Sequence, residues 1–285
     1  PAALHQLLSP QFLDRASSQT LSELINGEAQ LAAKVLATVN APYYGLKRPV
    51  SSIGQAVTFL GLNTVRSICL RDLLDDSFPA TQPALKQVYR EIWNASALAS
   101  ELCNRLATKL ALPDSGTLVA QVLLSFLGHL ATATLLAAHG ARPPQTGASL
   151  LDRTRSAQEA LGLGPAEIGG LLLQAWGLPL AIVDEVRAID RLLVTPAGLL
   201  APATSQRQAV AHLCARLGEQ LASAASPASA GSLAGLAAGL VAADDSFHLC
   251  QRLADPALAR LPEHLQAADL AQALATLQQG MRAQR

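Results

Sequence analysis

The chain has 285 residues, and its 21 Lys and Arg against 21 Asp and Glu leave a formal net charge of zero. That balance excludes bulk electrostatic attachment to nucleic acid or to an acidic membrane surface, leaving only a local patch for such a role. Half of the residues are hydrophobic but only 4% are aromatic, so the core must be Ala, Leu and Val, and the strong helix formers among them predict an all-α protein.

Pro1–Ser18 reads as a short helix and turn. Thr20 and Glu23 form a capping box, in which the hydroxyl accepts a backbone N–H while the carboxylate reaches back. The short helix they open ends near Asn26-Gly27. The next places Leu31, Val35, Leu36 and Val39 on one face and stops before Pro42. Tyr43–Val50 is a loop. Ser52 with Gln55 makes a second capping box, for a helix carrying Ala56, Val57 and Leu60 and ended by Gly61. Asn63 is the expected cap of a helix running to about Leu74. Asp75–Pro83 is a polar connector.

A long helix is predicted from Leu85 to about Leu110, broken at Pro113-Asp114-Ser115-Gly116, where Asp114 or Ser115 caps its successor. Val122–Ala138 is the best membrane candidate. It falls slightly short of a span and is interrupted by Ser125, His129, Thr132 and Thr134, so a buried core helix ending at His139-Gly140 is expected, with no membrane association. Ala141–Ala148 is a loop. A helix from Leu150 closes at Gly162 or Gly164, Pro165 opens another to Trp176, and Leu180–Leu193 follows. Thr195–Ser205 is an expected loop and Arg207–Ala222 an amphipathic helix. Ser223–Gly235 reads as an Ala/Ser/Gly linker, and short helices complete the chain. Cys69, Cys103, Cys214 and Cys250 show no C-x-x-C spacing and lie in apolar helical contexts. With no secretory signal in view, they are expected as buried thiols of a cytoplasmic protein.

Two groups of motifs carry a family resemblance. Leu24–Leu36 reads LINGEAQLAAKVL, Val39–Gly45 reads VNAPYYG and Ser52–Leu62 reads SIGQAVTFLGL; weaker matches are IWNAS at Ile92–Ser96, LLSFLGHL at Leu123–Leu130, and Glu159–Pro179 with Gly169 and the terminal WGLP. Over roughly Leu21 to Leu221 the chain resembles the HDOD domain, the HD-related output domain of bacterial signalling proteins. The resemblance implies a helical bundle with a small-helix N-terminal half (1–78) packed on a larger HD-like half (79–222), then a linker and C-terminal helices (223–285). HD phosphohydrolases hold a metal with His and Asp from facing helices. Carried over one position at a time, the first His falls at Ala95, the His-Asp pair at Ser125 and Phe126, a later pair of His near Ile189 and Asp190, and the last Asp at about Ala215. Only Asp190 among these is a metal ligand by chemistry. No metal or other cofactor is therefore expected.

Other candidates have blander readings. His129 is expected to be a hydrogen-bonded core residue rather than a ligand. His212 and Cys214, two apart on a helix, fall on different faces. Ser125 and His129 stand four apart like a nucleophile and its base, with no acid evident to orient the His. Lys47, Arg48, Arg66 and Arg71, with no acidic residue between Tyr43 and Arg71, form a candidate anion or partner surface. The resulting expectation is a non-catalytic signalling module whose partner is another signalling protein or a small ligand, and not nucleic acid. Two alternatives stay open: a divergent metal-dependent phosphohydrolase or cyclic-nucleotide phosphodiesterase, and nucleotide or nucleic-acid binding through the Lys47–Arg71 patch.

Overall fold

A computed structural model describes residues 2–9, 12, 16–41, 44, 46, 48–75, 77–78, 83–141, 148–223 and 232–283. Among these, the chain forms fifteen α-helices with short 3-10 turns and no strand, in agreement with the all-α expectation. Five small helices come first: α1 (Ala2–Leu7), α2 (Ser18–Asn26), α3 (Ala29–Val39), α4 (Ile53–Leu60) and α5 (Leu62–Asp75). Helix α2 begins earlier than its motif suggested. Ser17, extended at its φ and ψ, accepts the Thr20 amide proton, which places Thr20 inside the first turn. Glu23 takes the side-chain amide of Gln19 instead of closing a box. Ser52 caps α4 as expected, but Gln55 reaches back one residue further, to the Ser51 amide at 3.0 Å. Asn63 lies within α5 rather than capping it, and its amide donates across to Asn104. Asn40 fastens the turn after α3: its carboxamide accepts from Val50 N at 2.7 Å and donates to Val50 O at 2.8 Å.

The larger half is built on α6 (Pro83–Lys109) and α7 (Ser115–Ala138). Both Ala111 and Asp114 adopt positive φ in the turn between them, and Asp114 makes no side-chain cap. Its carboxylate lies instead 3.9 Å from Arg207. Then follow α8 (Leu150–Leu161), α9 (Pro165–Ala175), α10 (Leu180–Arg191) and α11 (Pro202–Ser223). Helix α11 starts inside the stretch expected as a loop, because Pro202 has the fixed φ of a first turn. The chain ends with α12 (Leu233–Val241), α13 (Phe247–Leu253), α14 (Leu261–Leu265) and α15 (Ala268–Ala283). Helix α12 occupies the end of the expected linker, capped by Ser232; residues 224–231 of that linker are outside the described set.

Helix α7 is long and apolar enough to cross a membrane, yet it is the central core element. Leu124 and Leu127 face the small helices, together with Tyr89 and Trp93 of α6. Val122 and Phe126 face a second core with Leu102 and Leu106 of α6, Leu213 and Leu217 of α11, and Leu258, Leu270 and Leu274 of the C-terminal helices. Burial on both faces explains why α7 is apolar all round. Arg252 pins the C-terminal segment to the turn after α10: it is 2% exposed, and one terminal nitrogen donates to the carbonyls of Leu192 and Thr195. Glycine sets two crossings. A Cβ on Gly128 of α7 would stand 2.1 Å from the Pro165 carbonyl oxygen of α9, and one on Gly218 of α11 would stand 2.6 Å from the Ala95 carbonyl oxygen of α6.

Candidate functional site

Four helices of the second half supply the six positions that the family resemblance assigned to metal ligands. Helix α6 supplies Ala95, α7 supplies Ser125 and Phe126, α10 supplies Ile189 and Asp190, and α11 supplies Ala215. All six are buried. Phe126 is 1% exposed and Ala95, Ile189 and Ala215 share its cluster. Small residues at the α6–α11 contact let the two backbones meet where metal-binding side chains would hold them apart.

Asp190 organises what remains. One carboxylate oxygen is 2.9 Å from Nε2 of His129, and the other is 3.1 Å from a terminal nitrogen of Arg216. Arg216 also stands 3.2 Å from Glu219, whose two oxygens both accept from Arg153 at 2.8 Å. The result is a largely buried chain of polar contacts running His129, Asp190, Arg216, Glu219, Arg153, in which Asp190, Arg216, Glu219 and Arg153 form the charge chain. Burial pushes the Asp190 carboxyl up, but the Arg216 charge and the His129 contact overcome it and hold the group far below the usual carboxylate range. Burial likewise pushes Glu219 up, and Arg153 and Arg216 bring it below its ordinary value. His212 hydrogen-bonds the Ile189 carbonyl oxygen through Nδ1 at 2.7 Å, which assigns the ring proton to that nitrogen. Burial first, then the neighbouring Arg216, lower its pKa to about 4, so it is neutral at pH 7.

This set does not fit a divalent cation. Of the positions assigned to metal ligands only Asp190 is a strong donor, and it already neutralises a guanidinium. A metal beside it would be repelled by Arg216. Among the described residues no three His, Cys, Asp or Glu side chains gather to hold a metal. The Asp190 carboxylate is paired instead with a fixed organic cation, Arg216.

Beside the charge chain is a cavity of about 380 Å³, walled by Ile92, Phe126, Leu150 and Leu249 and by the polar stripe His212, Arg216, Glu219 and Gln220 of α11. The remaining sequence candidates are scattered. The acid that seemed missing beside His129 is present as Asp190, because α10 crosses α7 there. Ser125 is nonetheless no nucleophile for that pair, since its hydroxyl donates to the Val122 carbonyl at 2.7 Å. His212 and Cys214 are both buried but not gathered at a metal site. Cys214 instead neighbours Cys103, and burial raises its thiol pKa. The basic patch does not form one surface. Arg66 is 3% exposed and lies over the Phe12 ring at 5.9 Å, because it faces inward with Val65 and Cys69 on α5. Arg71 is 3.7 Å from Asp72, Arg48 is exposed, and Lys47 lies outside the described residues. Arg153, Arg216 and Glu219 were not singled out from sequence. A signal existed for two of them: charges in the mostly apolar run Ala209–Leu221, four and seven residues after His212.

The model of the HDOD domain family matches residues 1–192. Among solved structures, an HDOD domain protein of unknown function from Geobacter sulfurreducens superposes with a TM-score of 0.59 at 15% identity, over 97% of this chain and 92% of that one. A Shewanella amazonensis protein described as a phosphohydrolase gives 0.57 at 19% identity, over 98% and 93%. A Marinobacter aquaeolei protein described as a signal transduction protein gives 0.53 at 20% identity, over 96% of this chain and 59% of that one. No curated protein matches the sequence.

Proposed function

The chain belongs to the HDOD domain family, and from that premise we propose that it is a non-catalytic bacterial signalling module of the cytoplasm, acting through a protein partner or a small ligand. One observation carries the reading: Asp190, the one position matched to the hydrolases' ligands that keeps a metal-binding side chain, has its carboxylate paired with Arg216. A phosphohydrolase of that type must activate a water and balance charge on phosphoryl oxygens, and it does both with a metal held by several ligands. Ala95, Ser125, Phe126, Ile189 and Ala215 offer no such set. The Marinobacter neighbour described as a signal transduction protein supports the same reading. The Shewanella neighbour described as a phosphohydrolase marks the rival one.

The test is hydrolysis of a generic phosphodiester and of cyclic dinucleotides by the purified full chain, with manganese, iron, nickel and magnesium in turn. No turnover is expected with any metal. Turnover that survives repurification and disappears on chelation overturns the proposal.

A further inference from the structure

Resting on the signalling reading, we infer that the cavity between α6, α8, α11 and α12 binds a small neutral molecule with a largely apolar body and an amide- or lactam-like edge. Its volume of about 380 Å³ falls in the range of small-molecule sites, which run roughly 300–1,000 Å³. Such sites combine apolar walls with a few convergent polar groups. Here the walls are Ile92, Phe126, Leu150 and Leu249, and the polar groups lie along one face of α11.

Those groups specify the edge. The Nε atoms of Arg216 and Arg153 and Oε1 of Gln220 are buried without a hydrogen-bond partner among the described residues. The Arg216 side chain is only 6% exposed. Leaving such atoms unmatched is costly. Arg216 and Gln220 are four apart, hence neighbours on one face of the helix. They present an N–H donor beside a carbonyl acceptor. A molecule with a carbonyl oxygen next to an N–H answers both.

Charge excludes the anionic alternative. Both guanidiniums that line the cavity are already matched, Arg216 by Asp190 and Arg153 by Glu219. The lining adds the carboxylates of Glu91 and Asp245, and His212 is neutral. A phosphorylated ligand would bring further negative charge to a wall with no cation in excess. The cavity thus selects against the nucleotides that the related hydrolases would be expected to cleave.

Two substitutions isolate the site without touching the buried charge chain. Gln220→Leu removes the acceptor at similar volume. Gly239→Trp closes the rim, since a side chain there starts in open space with nothing within 4 Å of its Cβ. Circular dichroism checks that both variants remain helical. The full chain is titrated with nicotinamide, uracil and hypoxanthine, and with uridine 5'-monophosphate and cyclic di-GMP, by saturation-transfer NMR and calorimetry. At least one of the three neutral probes is expected to bind, roughly tenfold more weakly to Gln220→Leu and not at all to Gly239→Trp. The inference is overturned if no neutral probe binds, if the phosphorylated probes bind as tightly, or if binding ignores both substitutions. Absence of binding together with absence of hydrolysis leaves the signalling module standing with a protein partner. Metal-dependent hydrolysis overturns the module itself.

Discussion

His212 should make this protein sensitive to mild acid, and the size of the effect follows from its surroundings. The ring is 2% exposed, donates to the Ile189 carbonyl and sits beside Arg216. Asp190 and Glu219 also face it and favour its protonation, but burial and Arg216 prevail. Its pKa is about 4 in the folded protein against an ordinary 6.5. The unfolded chain therefore binds a proton first as pH falls, and stability drops across the interval between those two values. The gap corresponds to ~3 kcal/mol, fully present above pH 6.5 and lost as pH approaches 4. His212→Asn keeps a donor for the Ile189 carbonyl and removes the titration. Urea unfolding of both proteins at pH 7 and pH 4 should show the wild type losing about 3 kcal/mol more than the variant over that range. Asp190 and Glu219 are held below their ordinary values of 3.8 and 4.5, so their contributions begin to be lost as pH falls through those values, in the wild type and the variant alike. Parallel pH curves, with a difference under about 1 kcal/mol, would refute the buried neutral histidine.

Three further outcomes are expected. Phe126→Ala should cost on the order of 3–5 kcal/mol in chemical denaturation, and Phe126→Asp more, because it buries an unpaired carboxylate; an unchanged melting temperature for Phe126→Asp would contradict its place in the core. Gly128→Ala should lower stability despite the better helix propensity of Ala, since its Cβ would stand 2.1 Å from the Pro165 carbonyl oxygen and α7 and α9 must part; overpacking of this kind costs roughly 1–3 kcal/mol, and a gain in stability would argue against the close crossing. Arg216→Met should destabilise by about 3–5 kcal/mol by leaving Asp190 without its cation, and pairing it with Asp190→Leu should restore much of the loss; additive losses in that double-mutant cycle would show the pair to be uncoupled.

Local chemistry determined most of the helices. Ser52 needs only its neighbours to cap α4, Gly61 only its own freedom at positive φ to end it, and Pro165 only its ring to start α9. Periodicity put Leu31, Val35 and Val39 on one buried face, and the motifs between Leu24 and Leu62 sufficed for the family. Local signals failed where two caps competed, as at Ser17 and Thr20, or where helix packing drew in a neighbour, as at Asn63. Residue identity alone also decides that Ala95, Phe126 and Ala215, and the weakly coordinating Ser125, supply no strong metal ligand at the positions the family resemblance points to. The charged groups around Asp190 were not legible. Asp190 and His129 are 61 positions apart and Arg153 and Glu219 are 66 apart, so only the crossings of α7, α8, α10 and α11 join them into one chain of polar contacts. The same crossings turned Arg66 from a candidate surface residue into an interior one. Sequence states which groups exist; burial and the approach of distant helices decide which are neutral, which are paired, and which face a cavity.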